Sequence, residues 1–294
     1  MNRLAARLGT QPPVLLDGGM GTLLQDAGLE DGAPGEVWNL ENRAAVRTAH
    51  AAYAEAGARI LTTNTFGGTR PRLEMHGLGD RVGDVNRAAA HIARSVADER
   101  GLLVAGGVGP TGELLAPLGS LTCEDAHKFF AEQLVALVDG GIDLVLVETM
   151  SDLGEAEAAL AAAREVVPDL PVAVTMSFDT NMRTMMGVRP ADAVAHLAAE
   201  GADAVGANCG RGPAEMLTIA AEMVRARAGD VLLIAQSNAG LPQVVGDHFE
   251  YDATADDLAA CAGRLAELGI DLIGGCCGST PAHIAAMEAV LTPI

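Results

Sequence analysis

Residues 267–278 read ELGIDLIGGCCG, and this stretch decides the fold. A 3.6-residue apolar periodicity ends at Leu268, the chain turns at Gly269, an apolar strand follows over 272–275, and the segment breaks on glycine-flanked cysteines. The same helix exit occurs three more times, as EAGARI at 55–60, DGGIDL at 139–144 and AEGADA at 199–204. Gly57, Gly141, Gly201 and Gly269 each stand where a helix needs a left-handed C-cap before the next strand. Working outward from these exits gives eight strand candidates, at 14–17, 60–64, 102–108, 143–148, 172–177, 204–208, 231–236 and 272–275. Helical patterns lie between them, among others at 44–56, 87–96, 129–138 and 258–268. No Pro/Ser-rich linker or charge block divides the chain, so one domain over 1–294 is expected. Eight βα units close most simply as a parallel (β/α)8 TIM barrel of the α/β class, although an open doubly wound sheet has the same alternation.

The 294 residues slightly exceed the roughly 250 typical of such a barrel. A formal net charge of −20 would repel a phosphate backbone or an anionic membrane, which argues against nucleic-acid and lipid partners and for a small molecule. The N-terminal MNRLAARLGTQPP has no apolar core behind its charges, and no 18 apolar residues run together, so neither a signal peptide nor a membrane span is expected. A cytoplasmic setting follows as the expectation. The oligomeric state stays open, a homo-oligomer included.

In a barrel of this kind chemistry sits at the C-terminal ends of the strands. There the chain places DGGMGT (17–22), TTNTFGG (62–68), GGVGPTGE (106–113), VETM (147–150), NCG (208–210), QSNAG (236–240) and GGCCG (274–278). Cys209 ends the sixth strand and Cys276 with Cys277 ends the eighth, so barrel closure brings three thiols to one rim. Adjacent strand residues point to opposite faces, so Cys276 and Cys277 share a ligand sphere only if the backbone leaves the β conformation, which Gly274, Gly275 and Gly278 permit. Three thiolates with one open position fit a catalytic zinc. Cys261 lies on an apolar stripe with Leu258, Leu265 and Leu268, and neither it nor Cys123 is given a role. His50, His91 and His196 fall inside helical patterns and make weak ligands. Asp17 and Glu148 can hold an ammonium, and the turn at Gly18 and Gly19 presents the amides of Gly19, Met20 and Gly21 to a carboxylate. Asn208, beside Cys209, is placed to orient the ligands.

The set DGGMGT, TNTFGGT, GPTGE, VET, MSFDT, RTMMG, GANCG and GGCCG, in this order over nearly the whole length, resembles the homocysteine S-methyltransferase family. Within it the chain looks most like stand-alone bacterial betaine–homocysteine methyltransferases. The resemblance implies a TIM barrel with zinc on Cys209, Cys276 and Cys277, and the sulfur of homocysteine as fourth ligand. It assigns Asp17, Thr63 and Glu148 to homocysteine, which is methylated to methionine. Trp38, in EVWNLENR, matches a family tryptophan near the donor pocket, and betaine is the first candidate for the methyl donor. Animal betaine enzymes, however, carry tyrosines where this chain has Gly67 and Thr149. The alternatives are a homocysteine-activating module of a split cobalamin-dependent methionine synthase, served by a separate corrinoid protein, and an S-methylmethionine-dependent enzyme. A zinc-storage protein is the non-enzymatic alternative. Whether selenohomocysteine is also a substrate is left open.

Overall fold

The computed structural model describes residues 2–9, 13–30, 32–245 and 248–292. Its strands are β1 (Val14–Leu15), β2 (Ile60–Thr62), β3 (Leu103–Val108), β4 (Leu144–Met150), β5 (Val172–Met176), β6 (Ala204–Cys209), β7 (Leu232–Ser237), β8 (Gln243–Val245), β9 (His248–Glu250) and β10 (Leu272–Gly275). Eight of them form one parallel sheet in the order β1-β10-β7-β6-β5-β4-β3-β2, and β8 pairs with β9 as an antiparallel ribbon. The sheet closes on itself. Leu16 bridges Ile60, the Arg59 N–H donates to the Leu15 carbonyl at 2.8 Å, and the Asp17 N–H donates to the Ile60 carbonyl at 3.2 Å. The architecture is therefore a (β/α)8 TIM barrel and not an open sheet.

Val14, Leu16, Ile60, Ala105, Leu144, Leu146, Ala173, Ala204, Ile234 and Leu272 fill one buried cluster, which has the strand alternation expected of a barrel interior. Leu4 joins it from the helix Arg3–Leu8, an element that the sequence periodicity does not reveal because only two turns of it exist. A larger cluster packs the outer faces of the strands against the surrounding helices.

All four repeated glycines adopt the left-handed backbone, with φ of 106° at Gly57, 90° at Gly141 and 91° at Gly201 and Gly269. The Asp of the repeat has its own reason. Asp143, Asp203 and Asp271 accept the backbone N–H of Val104, Val172 and Leu233, each at 2.8 to 2.9 Å, so each strand start is stitched to its neighbour. Arginines neutralise the carboxylates from outside: Arg94 and Arg7 on Asp143, Arg164 and Arg3 on Asp203, Arg227 on Asp271. This belt lies at the N-terminal end of the barrel and leaves the C-terminal rim free for chemistry. Element ends shift from the periodicity: β4 continues past Glu148 to Met150, and the helix read at 87–96 runs over Val82–Arg100.

Candidate metal and substrate site

β6 delivers Cys209 and β10 delivers the turn with Cys276 and Cys277. The three sulfurs lie within 4.8 Å of one another, Cys209 Sγ and Cys276 Sγ being 3.0 Å apart. Tetrahedral thiolates at a Zn–S distance of about 2.3 Å are separated by about 3.8 Å. Small side-chain adjustments reach that spacing, so this donor set fits zinc. The strand stops at Gly275, and Cys276 and Cys277 already stand outside it, in a turn closed by the Ser279 N–H on the Cys276 carbonyl at 3.1 Å. Gly278 completes this turn with φ of 77°, where an added Cβ would sit 2.2 Å from the Tyr251 ring. Hydrogen bonds from Cys209 and Cys276 push the Cys277 thiol down to about 3. Bonding to Cys209 and Cys277, with burial, pushes Cys276 well up. Cys209 is lowered by its bond to Cys276 and raised more by Cys277 and by burial, so it too stands high. Cys261 is outside this group, buried, and hydrogen-bonded to the Pro213 carbonyl at 3.6 Å, while Cys123 is exposed at a helix start.

Asn208 is buried behind the sulfurs. Its Oδ1 accepts the Thr149 N–H and the Thr175 hydroxyl, both at 2.9 Å, and its Nδ2 donates to Thr149 Oγ1 at 2.6 Å. The same Nδ2 is 3.5 Å from Cys209 Sγ and 3.7 Å from Cys276 Sγ.

Beside the thiols stands a group of carboxyls. Burial pushes Asp17 up to about 7 against the opposing effect of two hydrogen bonds from Thr62, its N–H at 2.6 Å and its hydroxyl at 2.9 Å. Glu148 is pushed up to about 8 by burial first, then by the charges of Asp17, Cys277 and Glu36. Glu36 is buried and accepts the Gly67 N–H. Among the described residues no Lys or Arg pairs with Asp17, Glu36 or Glu148, and no group donates a hydrogen bond to Glu148. A buried acidic pocket without its own cation is built to receive one.

The remaining residues singled out in the sequence are placed less directly. Thr63 Oγ1 accepts the Gly107 N–H at 2.9 Å and pairs with Thr65 Oγ1 at 2.6 Å, so its hydroxyl braces the barrel wall, and it is Thr62 that meets Asp17. Gly18 and Gly19 leave room for their neighbours: a Cβ on Gly18 would come 2.6 Å from Ser279 Oγ. The Gly19 N–H is already taken by Ser279 Oγ at 3.1 Å, and its carbonyl accepts the Tyr53 hydroxyl at 3.0 Å. Of the three expected amides, those of Met20 and Gly21 remain, in the first turn of Met20–Asp26, where no intrahelical acceptor exists. Half-buried Trp38 packs on the cluster of Leu24, Val46, Ala49 and Ile92.

Sequence reasoning missed Thr62, Thr149, Glu36 and Tyr251. The Tyr251 hydroxyl is pushed up to about 12 by burial and then by Cys277, Cys276 and Cys209, which marks it as a neighbour of the thiols. Its position just before the helix Ala255–Leu268 carries no motif, so only the fold reveals it.

The family model for homocysteine S-methyltransferase matches residues 14–291. The methionine synthase of Mycobacterium leprae (strain TN) is 36% identical over 293 residues, and that of Mycobacterium tuberculosis (strain ATCC 25618 / H37Rv) 36% over 296. These alignments cover 94% and 95% of this chain, which spans 24% of the length of each relative. Among solved structures, the metallated homocysteine methyltransferase MmuM of Escherichia coli superposes with a TM-score of 0.82 at 27% identity, covering 98% of this chain and 99% of that one.

Proposed function

The chain belongs to the homocysteine S-methyltransferase family, and we propose that it methylates the sulfur of homocysteine to give methionine, with zinc on Cys209, Cys276 and Cys277 and betaine as donor. The carrying observation is the convergence of three thiols beside a buried acidic pocket to which no Lys or Arg among the described residues is paired. Cys209, Cys276 and Cys277 would hold the zinc, which when bound would supply the Lewis acidity to ionise a substrate thiol that, at an unperturbed pKa of about 8.5, is only a few per cent thiolate at neutral pH.

The chain's own residues do the positioning. Glu148 and Asp17 receive the ammonium of homocysteine, whose positive charge restores both carboxylates to their ionised form. Thr62 fixes the Asp17 carboxyl through two bonds, and Thr63 holds β2 to β3 beneath it. The free amides of Met20 and Gly21 suit the carboxylate, while Gly18 and Gly19 keep the turn narrow enough to reach it. Asn208 orients the metal-binding thiols. Trp38 and Tyr251 supply the aromatic surface for a methyl-bearing cation. The catalytic assignment rests on the three cysteines and Glu148.

The similarity to one quarter of two methionine synthases favours a second reading, in which this single domain activates homocysteine for a separate corrinoid protein. S-methylmethionine is the third donor. A metal site built of thiols suits a reducing compartment such as the cytoplasm. No helix among the described residues is long and apolar enough to cross a membrane. Purified zinc-loaded protein with homocysteine is offered betaine, S-methylmethionine and methylcobalamin in turn. Methionine from betaine is the expected result. Methionine from methylcobalamin alone would overturn the betaine reading, and none from any donor would favour zinc storage.

A further inference from the structure

Thr149 is strained where β4 ends. Its φ is 61°, a left-handed conformation that a β-branched residue rarely adopts, and the register between β4 and β5 shifts between Val147 and Met150. The distortion is what lets one residue grip the Asn208 carboxamide twice. The Thr149 N–H donates to Oδ1 at 2.9 Å, and Thr149 Oγ1 accepts from Nδ2 at 2.6 Å. Which end of a carboxamide is oxygen and which nitrogen follows from its partners. The Thr149 N–H can only donate, so the end it faces is the oxygen, and the Thr175 hydroxyl donates to that same atom. The amino group is thereby forced toward the sulfurs, 3.5 Å from Cys209 and 3.7 Å from Cys276. Because Thr149 Oγ1 accepts from Asn208, its own proton is free to point at Cys209 Sγ, 3.9 Å away. Cys209 itself stands at φ of 61°, so both partners of this contact leave the strand conformation together.

We propose that Thr149 is a positioning residue of the metal centre: its left-handed backbone and its hydroxyl lock the Asn208 amide so that the remaining amide N–H is shared between the thiolates of Cys209 and Cys276, while the Thr149 hydroxyl faces Cys209. These two donors draw electron density from two of the three protein thiolates and relieve the excess negative charge of a thiolate-rich site. Cys277 receives no donor from this group. The inference rests on the zinc reading above and adds a residue that acts on the thiols through Asn208 and through its own hydroxyl.

The test uses the full-length protein loaded with cobalt(II), whose thiolate-to-metal charge-transfer band reports sulfur electron density, together with zinc affinity by chelator competition. Thr149→Ser keeps both the hydroxyl and the amide, and should retain the parent band and affinity. Thr149→Val removes the hydroxyl at constant shape. It should shift the band to lower energy and weaken zinc about tenfold, the lower end of the range for outer contacts of a metal site. Thr149→Gly removes the strain with the hydroxyl and should behave as Thr149→Val does; it decides the matter if the valine variant does not fold. An unchanged band and unchanged affinity in folded Thr149→Val or Thr149→Gly overturn the proposal and leave the zinc reading standing. Failure of the parent protein to bind cobalt or zinc overturns both.

Discussion

Cys276 and Cys261 are the same residue type in opposite circumstances, one on a glycine turn beside two other thiols, the other buried on a helix and pushed up to about 11 by desolvation. Metal analysis of Cys276→Ala should show the loss of about one zinc per chain, whereas Cys261→Ala should keep it. Equal zinc in both would remove the cysteine cluster from the chemistry. Glu148→Gln should keep its zinc and lose homocysteine affinity by about 1.5 to 3 kcal/mol, the worth of a charge-assisted hydrogen bond. Isothermal titration with homocysteine reads this directly, and an unchanged affinity would assign Glu148 to structure. Trp38→Ala should weaken donor binding by about 1 to 2 kcal/mol with homocysteine binding unaffected. Since the chain has one tryptophan, quenching of its emission by the donor provides the measurement in the parent protein, and the absence of any donor response would take Trp38 out of the pocket. The cysteines and Glu148 were legible in the sequence because their residue types have few other uses at a strand end. Thr62 and Thr149 were not, since a threonine shows its role only through its partners.

At the scale of elements, the two ends of each strand serve different purposes. The aspartate belt at the N-terminal end holds register and closes the barrel. Asp203 accepts the Val172 N–H at 2.9 Å and pairs with Arg164 at 2.8 Å and Arg3 at 3.1 Å. Asp203→Ala leaves the Val172 N–H without its acceptor and the partly buried Arg164 guanidinium without its countercharge, and should cost about 2 to 4 kcal/mol in urea unfolding. Turnover of the folded variant should stay at the parent value, because the residue lies at the N-terminal end of β6, opposite the end that carries Cys209; a kcat loss with no stability loss would contradict this division. The C-terminal ends are irregular where the belt is regular. β4 slips register at Thr149 and β6 ends in a left-handed Cys209. Periodicity located both strands but ended β4 at Glu148 and β6 at Asn208, because apolar alternation carries no trace of a bulge whose purpose is a hydrogen bond to another strand.

For the whole molecule, buried ionisable groups set how stability depends on pH. His50 is fully buried with neither ring nitrogen partnered, and burial lowers it to about 4. The unfolded chain takes up this proton near pH 6.5 and the folded chain does not until about 4, so folding loses up to roughly 3 kcal/mol as pH falls through that window. Asp17 and Glu148 act in the other direction. Their folded values are raised to about 7 and about 8, so the stability of the ligand-free protein declines as pH rises from the ordinary carboxylate range to those values. Thermal unfolding of His50→Leu against pH should lose the acid-side decline between 6.5 and 4. Glu148→Gln should raise the midpoint at pH 8.5 relative to the parent and change it little at pH 4. Parallel parent and variant profiles would mean that neither group carries its shift.

The sequence by itself determined the alternation of eight strands and their helices, the four glycine exits and the identity of the thiols, because each of these is fixed by residue type and local spacing. The tertiary structure alone decided closure of the sheet, since a parallel alternation is equally compatible with an open one and the edges are joined by the Leu16–Ile60 bridge and the bonds around it. It also decided which hydroxyl meets Asp17, which carboxyls share a pocket without a cation, and that Thr149 grips Asn208 from 59 residues away. Those are contacts between strands. A hydrogen bond formed across a barrel rim depends on register and on backbone angles at both ends, and neither is written in the pattern of apolar residues along one chain.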